Sequence, residues 1–442
     1  MPETPVGFSR AGDIFHYRWA ARRCLKLVYP NATIHTIQVE GSLEQIKVGE
    51  DVIDLIEYEV FRNGGERISY YQLKHTSVRQ NDPFTLSDLE DTFTGFAQKY
   101  VQLKSDYIGK TLPELSFTLI TNRPIGNTFK ANISAVALKQ NVDTRFKNTI
   151  EKYTNLPADE LASFCGLLSL QDGEGNHVEQ EFILKSELGQ MMAGAVDNSF
   201  VERLVVLVQS KLLPEANGTI TRETVLQRMG VTSERQLFPA PPAWDDSGRI
   251  IPRKHYTTLI EEITRSGLSA IVHAAGGVGK SVFCQQLVDS LPEGSIAIAY
   301  DCFGAGKYRK RSELRHQHRD ALVQIANELA VKGLCSPLLP IGSMSEKDLM
   351  QKFLSLLGEA VKSLQKVRPA AQIFLLVDAA DNAEMAAKEF NDSCFAHELL
   401  SETMPAACLL VMLCNDLQIV KQFDNCLHLF KKHPHLTFLF YK

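Results

Sequence analysis

Residues Ile271–Phe283 read IVHAAGGVGKSVF, and no other stretch narrows the choice of fold as much. An apolar strand runs straight into a glycine-rich turn, then Lys-Ser, then the helical pattern SVFCQQLVDSL. Gly276, Gly277 and Gly279, with Val278 between them, let backbone N–H groups approach an anion without a Cβ in the way. The helix that follows adds its own N–H donors and the positive end of its dipole. In such a loop Lys280 reaches the β- and γ-phosphates of a nucleoside triphosphate and Ser281 holds Mg²⁺. The pattern GxxxxGK[ST] is met except at its first position, which is Ala274. A partner lies downstream: Gln372–Asp378, QIFLLVD, is an apolar strand ending in an acid. Asp378 is expected to bind Mg²⁺ through water, and Asp381 to orient the attacking water. The expected ligands are ATP and Mg²⁺.

The pattern around this loop predicts strands at Ala270–His273, Ser295–Tyr300, Ile373–Asp378 and Cys408–Leu413, with helices between them. Such alternation argues a parallel sheet wrapped by helices. The composition changes at Phe238–Gly248, FPAPPAWDDSG, which predicts a linker. The expected organisation is therefore residues 1–235, a linker at 236–249, and residues 250–442. Each half is long enough for its own core. Net charge is −5. A chain-wide basic field is absent, so any contact with nucleic acid must be local. No stretch approaches the ~18 apolar residues of a membrane span. The nine cysteines show no CxxC pair, which argues reduced thiols in the cytoplasm. The basic run Lys307–Arg319 reads as a solvated helix start, with contact to nucleotide, a protomer or DNA as the alternative.

The N-terminal half predicts a helix at Asp13–Leu27, then strands at Thr33–Glu40, Val52–Val60 and Ile68–Lys74. Asn63-Gly64-Gly65 makes a hairpin of the last two. A helix follows at Leu86–Ser105 with Ser87 as N-cap, then a strand at Leu115–Thr121, then mostly helix over 125–230. On a strand Gln72 and Lys74 share a face. Asp54 sits between Ile53 and Leu55, where an acid is costly to bury without a partner. Carboxylates that hold Mg²⁺ against a phosphodiester, with a lysine beside the metal, are the parts that metal-dependent cleavage needs. Glu40 is a further candidate ligand. Asp51 and Glu57 have the opposite strand parity and rank lower. His16, Arg18, Arg22 and Arg23 on the first helix could contact phosphate or pair with acids. His75 is expected to serve as a local hydrogen-bonding residue.

The Asp54–x(17)–Gln72–x–Lys74 layout resembles the PD-(D/E)xK nuclease fold. The segments GDIFHYRWAARRCL, VEGSLEQ, VIDLIEYEV, YYQLKHT and LEDTFTGFAQKY resemble the endonuclease domain of bacterial CBASS and antiviral STAND defence proteins. The second half resembles NACHT-like STAND NTPases, with Asn382 where that family carries a Glu and no sensor arginine in LVMLCNDL. The tail of 28 residues after Cys414 is unlike the family's winged-helix continuation, so a C-terminally truncated form is expected. These resemblances imply an α/β protein: a restriction-endonuclease-like mixed sheet with a helical extension, then a P-loop NTPase sheet. They imply a Mg²⁺-dependent endonuclease acting on double-stranded DNA, with Asp54, Gln72, Lys74 and Glu40 at its centre. They also imply an ATP-controlled switch, a homo-oligomer on activation, and a phage protein as trigger. The readings kept beside this one are an ATP switch with a non-catalytic DNA- or protein-binding N-terminal domain, a DNA translocase, and an inactive remnant.

Overall fold

The computed structural model describes residues 5–39, 52–213, 215–244, 254–415, 427–433 and 436–441. The chain forms two compact units, each described by itself. The first comprises residues 1–28, 32–188 and 196–230, and the second residues 29–31, 189–195 and 231–442.

In the first unit, helix α1 (Pro5–Lys26) precedes strands β1 (Ile34–Val39), β2 (Leu55–Val60) and β3 (Glu66–Lys74). Then come α2 (Glu90–Asp106), β4 (Glu114–Thr121), α3 (Asn127–Ala137), α4 (Thr144–Thr154) and α5 (Ala158–Gly166). The unit closes with β5 (Leu168–Gln171), α6 (Glu179–Gly189), α7 (Asn198–Lys211), β6 (Thr219–Thr221) and α8 (Arg222–Met229). The sheet is mixed, in the order β5-β4-β3-β2-β1-β6. β1, β2 and β3 are antiparallel neighbours, while β4 runs parallel to both β3 and β5. The β2–β3 hairpin turns where Asn63-Gly64-Gly65 predicts it. Gly64 takes φ +80, and the Asn63 side chain accepts the Gly65 N–H at 3.0 Å.

α1 buries Ala11, Phe15 and Trp19 at four-residue spacing, which turns one stripe of the helix inward. On the other side of the sheet, α2 packs Phe93 and Phe96 among Tyr70, Phe117 and Phe164. One expected detail fails. Ser87 lies in a short 3-10 turn, Ser87–Leu89, and α2 starts at Glu90 with Leu89 as its cap residue and no capping side chain. Thr85 and Asp88 bond to each other instead and take over the local turn. The short strands β5 and β6 lie inside the stretch expected to be mostly helix. Three or four residues carry too little period-2 pattern to announce a strand.

In the second unit the order is α9 (Glu234–Leu237), α10 (Lys254–Ser266), β7 (Ser269–His273), α11 (Lys280–Asp289) and β8 (Ile296–Asp301). α12 (His318–Val331), α13 (Glu346–Val367), β9 (Ile373–Asp378), α14 (Ala380–Phe390), α15 (Phe395–Ser401) and β10 (Cys408–Cys414) follow. Four strands, β7-β10-β9-β8, are parallel. Both faces are covered, which is why the strands read as unbroken apolar runs. Ile373, Leu375 and Val377 enter the core beneath α12 and α13, while Phe374 and Leu376 enter the core beneath α10 and α11.

Two findings differ from the sequence reading. The sheet continues past β7 through an antiparallel hairpin, β11 (Leu427–His433) and β12 (Leu436–Tyr441), with β12 on β7. And the described part of the expected linker is packed. Leu237 and Ala240 are buried, the Ala240 N–H donates to Gln324 Oε1 at 3.0 Å, and Arg315 donates to the Pro241 carbonyl at 2.9 Å. Proline removes helix and ladder donors, but it does not stop an extended segment from lying on a core. No helix among the described residues is long and apolar enough to cross a membrane.

Candidate functional site

In the first unit the β2–β3 register pairs Leu55 with Tyr71, which sets Asp54 opposite Gln72 at the end of the ladder. The Asp54 N–H donates to the Tyr71 carbonyl at 2.9 Å, and its Oδ2 accepts the Leu73 N–H at 2.6 Å. His16 on α1 stands 3.5 Å from Oδ1. Burial pushes the Asp54 carboxyl up from its ordinary value, against the opposing pull of His16, the Leu73 N–H and Lys74. Asp54 still keeps 21% of its side chain exposed, so an ion can reach it. Gln72 is buried, and its Oε1 has no hydrogen-bond partner. A buried carbonyl oxygen left unpaired costs about 1–3 kcal/mol, unless something absent from the bare chain satisfies it. The register thus brings Asp54 to the end of β3 that carries Gln72 and Lys74, near enough for the Lys74 charge to act on its carboxyl. Glu40 and Asp51 lie outside the described residues.

The neighbours explain which charges are committed elsewhere. Glu57 is buried and held bidentately by Arg23, at 2.5 and 2.7 Å, with the Tyr71 hydroxyl donating at 2.9 Å. Three donors thus commit its two oxygens to Arg23 and Tyr71. Arg18 bonds Glu181 and the His177 carbonyl, and Arg22 bonds Glu174, Gln180 and Glu187. The ion-paired reading of α1 therefore holds over the phosphate-contact one. His75 accepts the His177 N–H at 3.4 Å and packs its ring on Phe15. Burial, helped by His177 and His16, brings its pKa down to about 4.

In the second unit the loop between β7 and α11 has the shape its glycines imply. Gly277 and Gly279 take φ +78 and +94. Nothing lies within 4 Å of where a Cβ on Gly276 or Gly277 would stand, which leaves the open cradle a phosphate needs. A Cβ on Gly279 would stand 2.8 Å from the Tyr256 hydroxyl. That hydroxyl donates to the Val278 carbonyl at 2.8 Å, so α10 braces the loop. Lys280 is buried. Its Nζ donates to the Ala274 and Ala275 carbonyls, at 2.8 and 3.0 Å, and to Asn415 Oδ1. Burial lowers its pKa, with Asp381 and Asp378 pulling the other way.

Asp378 ends β9 in register with Asp301 at the end of β8. Burial raises the Asp378 pKa and the Asp301 charge adds to it. The Ser281 hydroxyl and the Trp244 indole face the carboxylate and act in the opposite direction. The indole N–H is buried and closes no hydrogen bond of normal geometry. Asp381 accepts the Asn415 backbone N–H at 3.1 Å and its side-chain amide at 2.9 Å. Asn415 thus stands between Lys280 and Asp381, just past β10, where the expected arginine is missing. Sequence reading missed Asn415, Asp301 and Trp244. A polar residue closing each of the two parallel strands that flank β9 was the available signal for Asp301 and Asn415.

The basic run Lys307–Arg319 is largely committed to the protein. Lys307 pairs with Glu313 and Arg309 with Glu389, Arg315 binds the Asp301 carbonyl, and Arg319 binds that of Pro340.

The residues present fit the expected ions. Asp54 and the unpartnered Gln72 oxygen supply oxygen ligands of the kind Mg²⁺ takes beside several waters. The cradle, Ser281 and Asp378 supply the same for a Mg²⁺–nucleotide.

A family model described as the N-terminal region of nephrocystin 3 matches residues 250–412, less than half of the chain. No curated protein matches it. Among solved structures, the Cap4 SAVED/CARF-domain containing receptor of Moraxella osloensis aligns at 11% identity and TM-score 0.31, over 84% of this chain and 64% of that one. The Cap4 receptor of Acinetobacter baumannii with the cyclic trinucleotide 2'3'3'-cAAA aligns at 13% identity and TM-score 0.29, over 88% and 66%. This chain therefore spans a little under two thirds of the length of these receptors.

Proposed function

We propose that the first unit is a Mg²⁺-dependent endonuclease for double-stranded DNA and the second an ATP-binding switch of the STAND type, acting together in bacterial antiviral defence. The observation that carries the nuclease reading is Asp54 set opposite the unpartnered Gln72 oxygen, with Lys74 two residues on. The element order α1-β1-β2-β3-α2-β4 supports it. Mg²⁺, when bound, would supply Lewis acidity at the scissile phosphate. Asp54 and Gln72 would hold the ion, and Lys74 would offer its ammonium to the attacking water and the developing negative charge. In the second unit Lys280 is held back by Asn415 and two loop carbonyls. Phosphate oxygens entering the cradle compete for that ammonium, and Asn415 and Asp381 are then released. That exchange is the switch we assign to ATP. Homo-oligomer formation and a phage protein trigger complete the proposal.

The test is plasmid cleavage in Mg²⁺, with and without ATP, by the wild type, Lys74→Ala and Lys280→Ala. Loss of at least about 100-fold in Lys74→Ala is expected from removing one transition-state charge partner. Equal cutting by the wild type and Lys74→Ala overturns the nuclease. An ATP response kept in Lys280→Ala overturns the switch. A second reading, a binding-only N-terminal unit, draws on the Leu73 N–H, which donates to Asp54 Oδ2, and on His16, which stands 3.5 Å from Oδ1. DNA binding without cleavage by the wild type would favour it.

A further inference from the structure

Away from the nucleotide loop, three side chains from three helices of the second unit meet: His318 at the start of α12, Glu346 at the start of α13 and Glu398 in α15. One ligand atom from each lies within 4.8 Å of the others. The imidazole is 1% exposed, whereas both carboxylates reach solvent. Its Nε2 is 2.8 Å from Glu398 Oε2, a hydrogen bond. Its Nδ1 is buried, has no hydrogen-bond partner, and points to Glu346 Oε1 at 3.7 Å.

That last distance is informative. A neutral ring that donates Nε2–H to Glu398 turns a bare Nδ1 lone pair toward a carboxylate oxygen. The two atoms repel unless a cation lies between them. They are too far apart for a hydrogen bond, yet close to the roughly 3.4 Å that separates two ligands about 2.0–2.1 Å from one tetrahedral zinc. The Ser393 hydroxyl donates to the same Glu346 oxygen and fixes it in place. Glu398 on the far side of the ring is the carboxylate that orients a metal-binding histidine and raises its basicity.

We propose that His318 Nδ1 and Glu346 form a binding site for a divalent transition metal, Zn²⁺ by its ligand preference, with Glu398 as the residue that positions the ring. Water fills the remaining positions. The ion would tie the N-terminus of α12 to that of α13, with Glu398 of α15 holding the ring, and it is separate from both Mg²⁺ sites proposed above.

The experiment is calorimetric titration of the full chain with ZnCl₂ in nucleotide-free buffer, comparing the wild type, Glu346→Gln and Glu398→Gln. Glu346 is 55% exposed, so its amide variant should fold normally, which circular dichroism checks. Any zinc held at Asp54 or Asp378 is common to all three proteins. The wild type is expected to take up one more equivalent than Glu346→Gln. Zinc should raise the unfolding midpoint of the wild type by more than that of Glu346→Gln. Glu398→Gln should weaken that equivalent about 10–100-fold. Identical isotherms for the wild type and Glu346→Gln overturn the site.

Discussion

At Glu57 a buried carboxylate depends on Arg23 and Tyr71, and the pair shows what individual residues decide in this fold. Removing one partner of such a pair costs about 3–5 kcal/mol, because the other charge stays buried. Arg23→Ala is therefore expected to lower the urea midpoint sharply. The double variant Arg23→Met, Glu57→Leu should recover most of the loss. Equal midpoints for Arg23→Ala and the wild type would show the pair to be a solvated one. His75 gives a pH dependence of fixed sign. Its folded pKa, down to about 4, lies below the ordinary imidazole value near 6.5, so the folded state disfavours the extra proton. The contribution is complete above about pH 6.5 and is lost as pH falls toward 4. Partial exposure limits it to the order of 1–3 kcal/mol. His75→Gln should flatten the stability profile between pH 7 and 4 by that amount, measured by chemical denaturation.

At the scale of elements, close approaches set how the sites are braced. α2 passes so near Val52 that a Cβ on Gly95 would stand 2.6 and 2.8 Å from Val52 Cγ2 and Cβ. Val52 lies two residues before Asp54. Gly95→Ala should cost about 1–3 kcal/mol of overpacking and lower the proposed DNA cleavage more than a surface change of equal cost. Stability and cleavage assays on the same variant check this. On α10 the Tyr256 hydroxyl carries the loop carbonyls of Val278 and Gly279, at 2.8 and 3.2 Å. Tyr256→Phe removes about 1 kcal/mol of bracing, so ATP affinity should fall roughly fivefold with the fold unchanged. The strand that sequence reads well is β9, a run of six apolar-to-acid residues found at the expected bounds, whereas α1 starts at Pro5, eight residues before the expected Asp13. The Ser87 cap failed because two turn residues, Thr85 and Asp88, satisfy each other first.

For the whole molecule, the second unit offers its own reporter. The chain has two tryptophans, and Trp244 faces Asp378. With Trp19→Phe as background, Mg²⁺–ATP should change the emission saturably, and Lys280→Ala should abolish the change. An unchanged spectrum in the presence of bound ATP would show that Trp244 stays put. The segment carrying this tryptophan looked like a linker by composition alone. Its packing against Gln324 and Arg315 depends on residues more than 70 positions away, which no local pattern reveals.

The sequence by itself determined the local backbone. Glycines forced the turn before Lys280, apolar runs forced strands covered on both faces, and alternation placed Gln72 and Lys74 on one side of β3. Those outcomes depend on φ/ψ preference and on solvent, which act over a few residues. Tertiary structure decided the rest: Asp54 opposite an unsatisfied Gln72, Asp301 beside Asp378, Asn415 between Lys280 and Asp381, and His318 between two glutamates. Each of these rests on strand register or helix packing. The free energy of such contacts belongs to pairs distant in sequence, so neither member announces its partner.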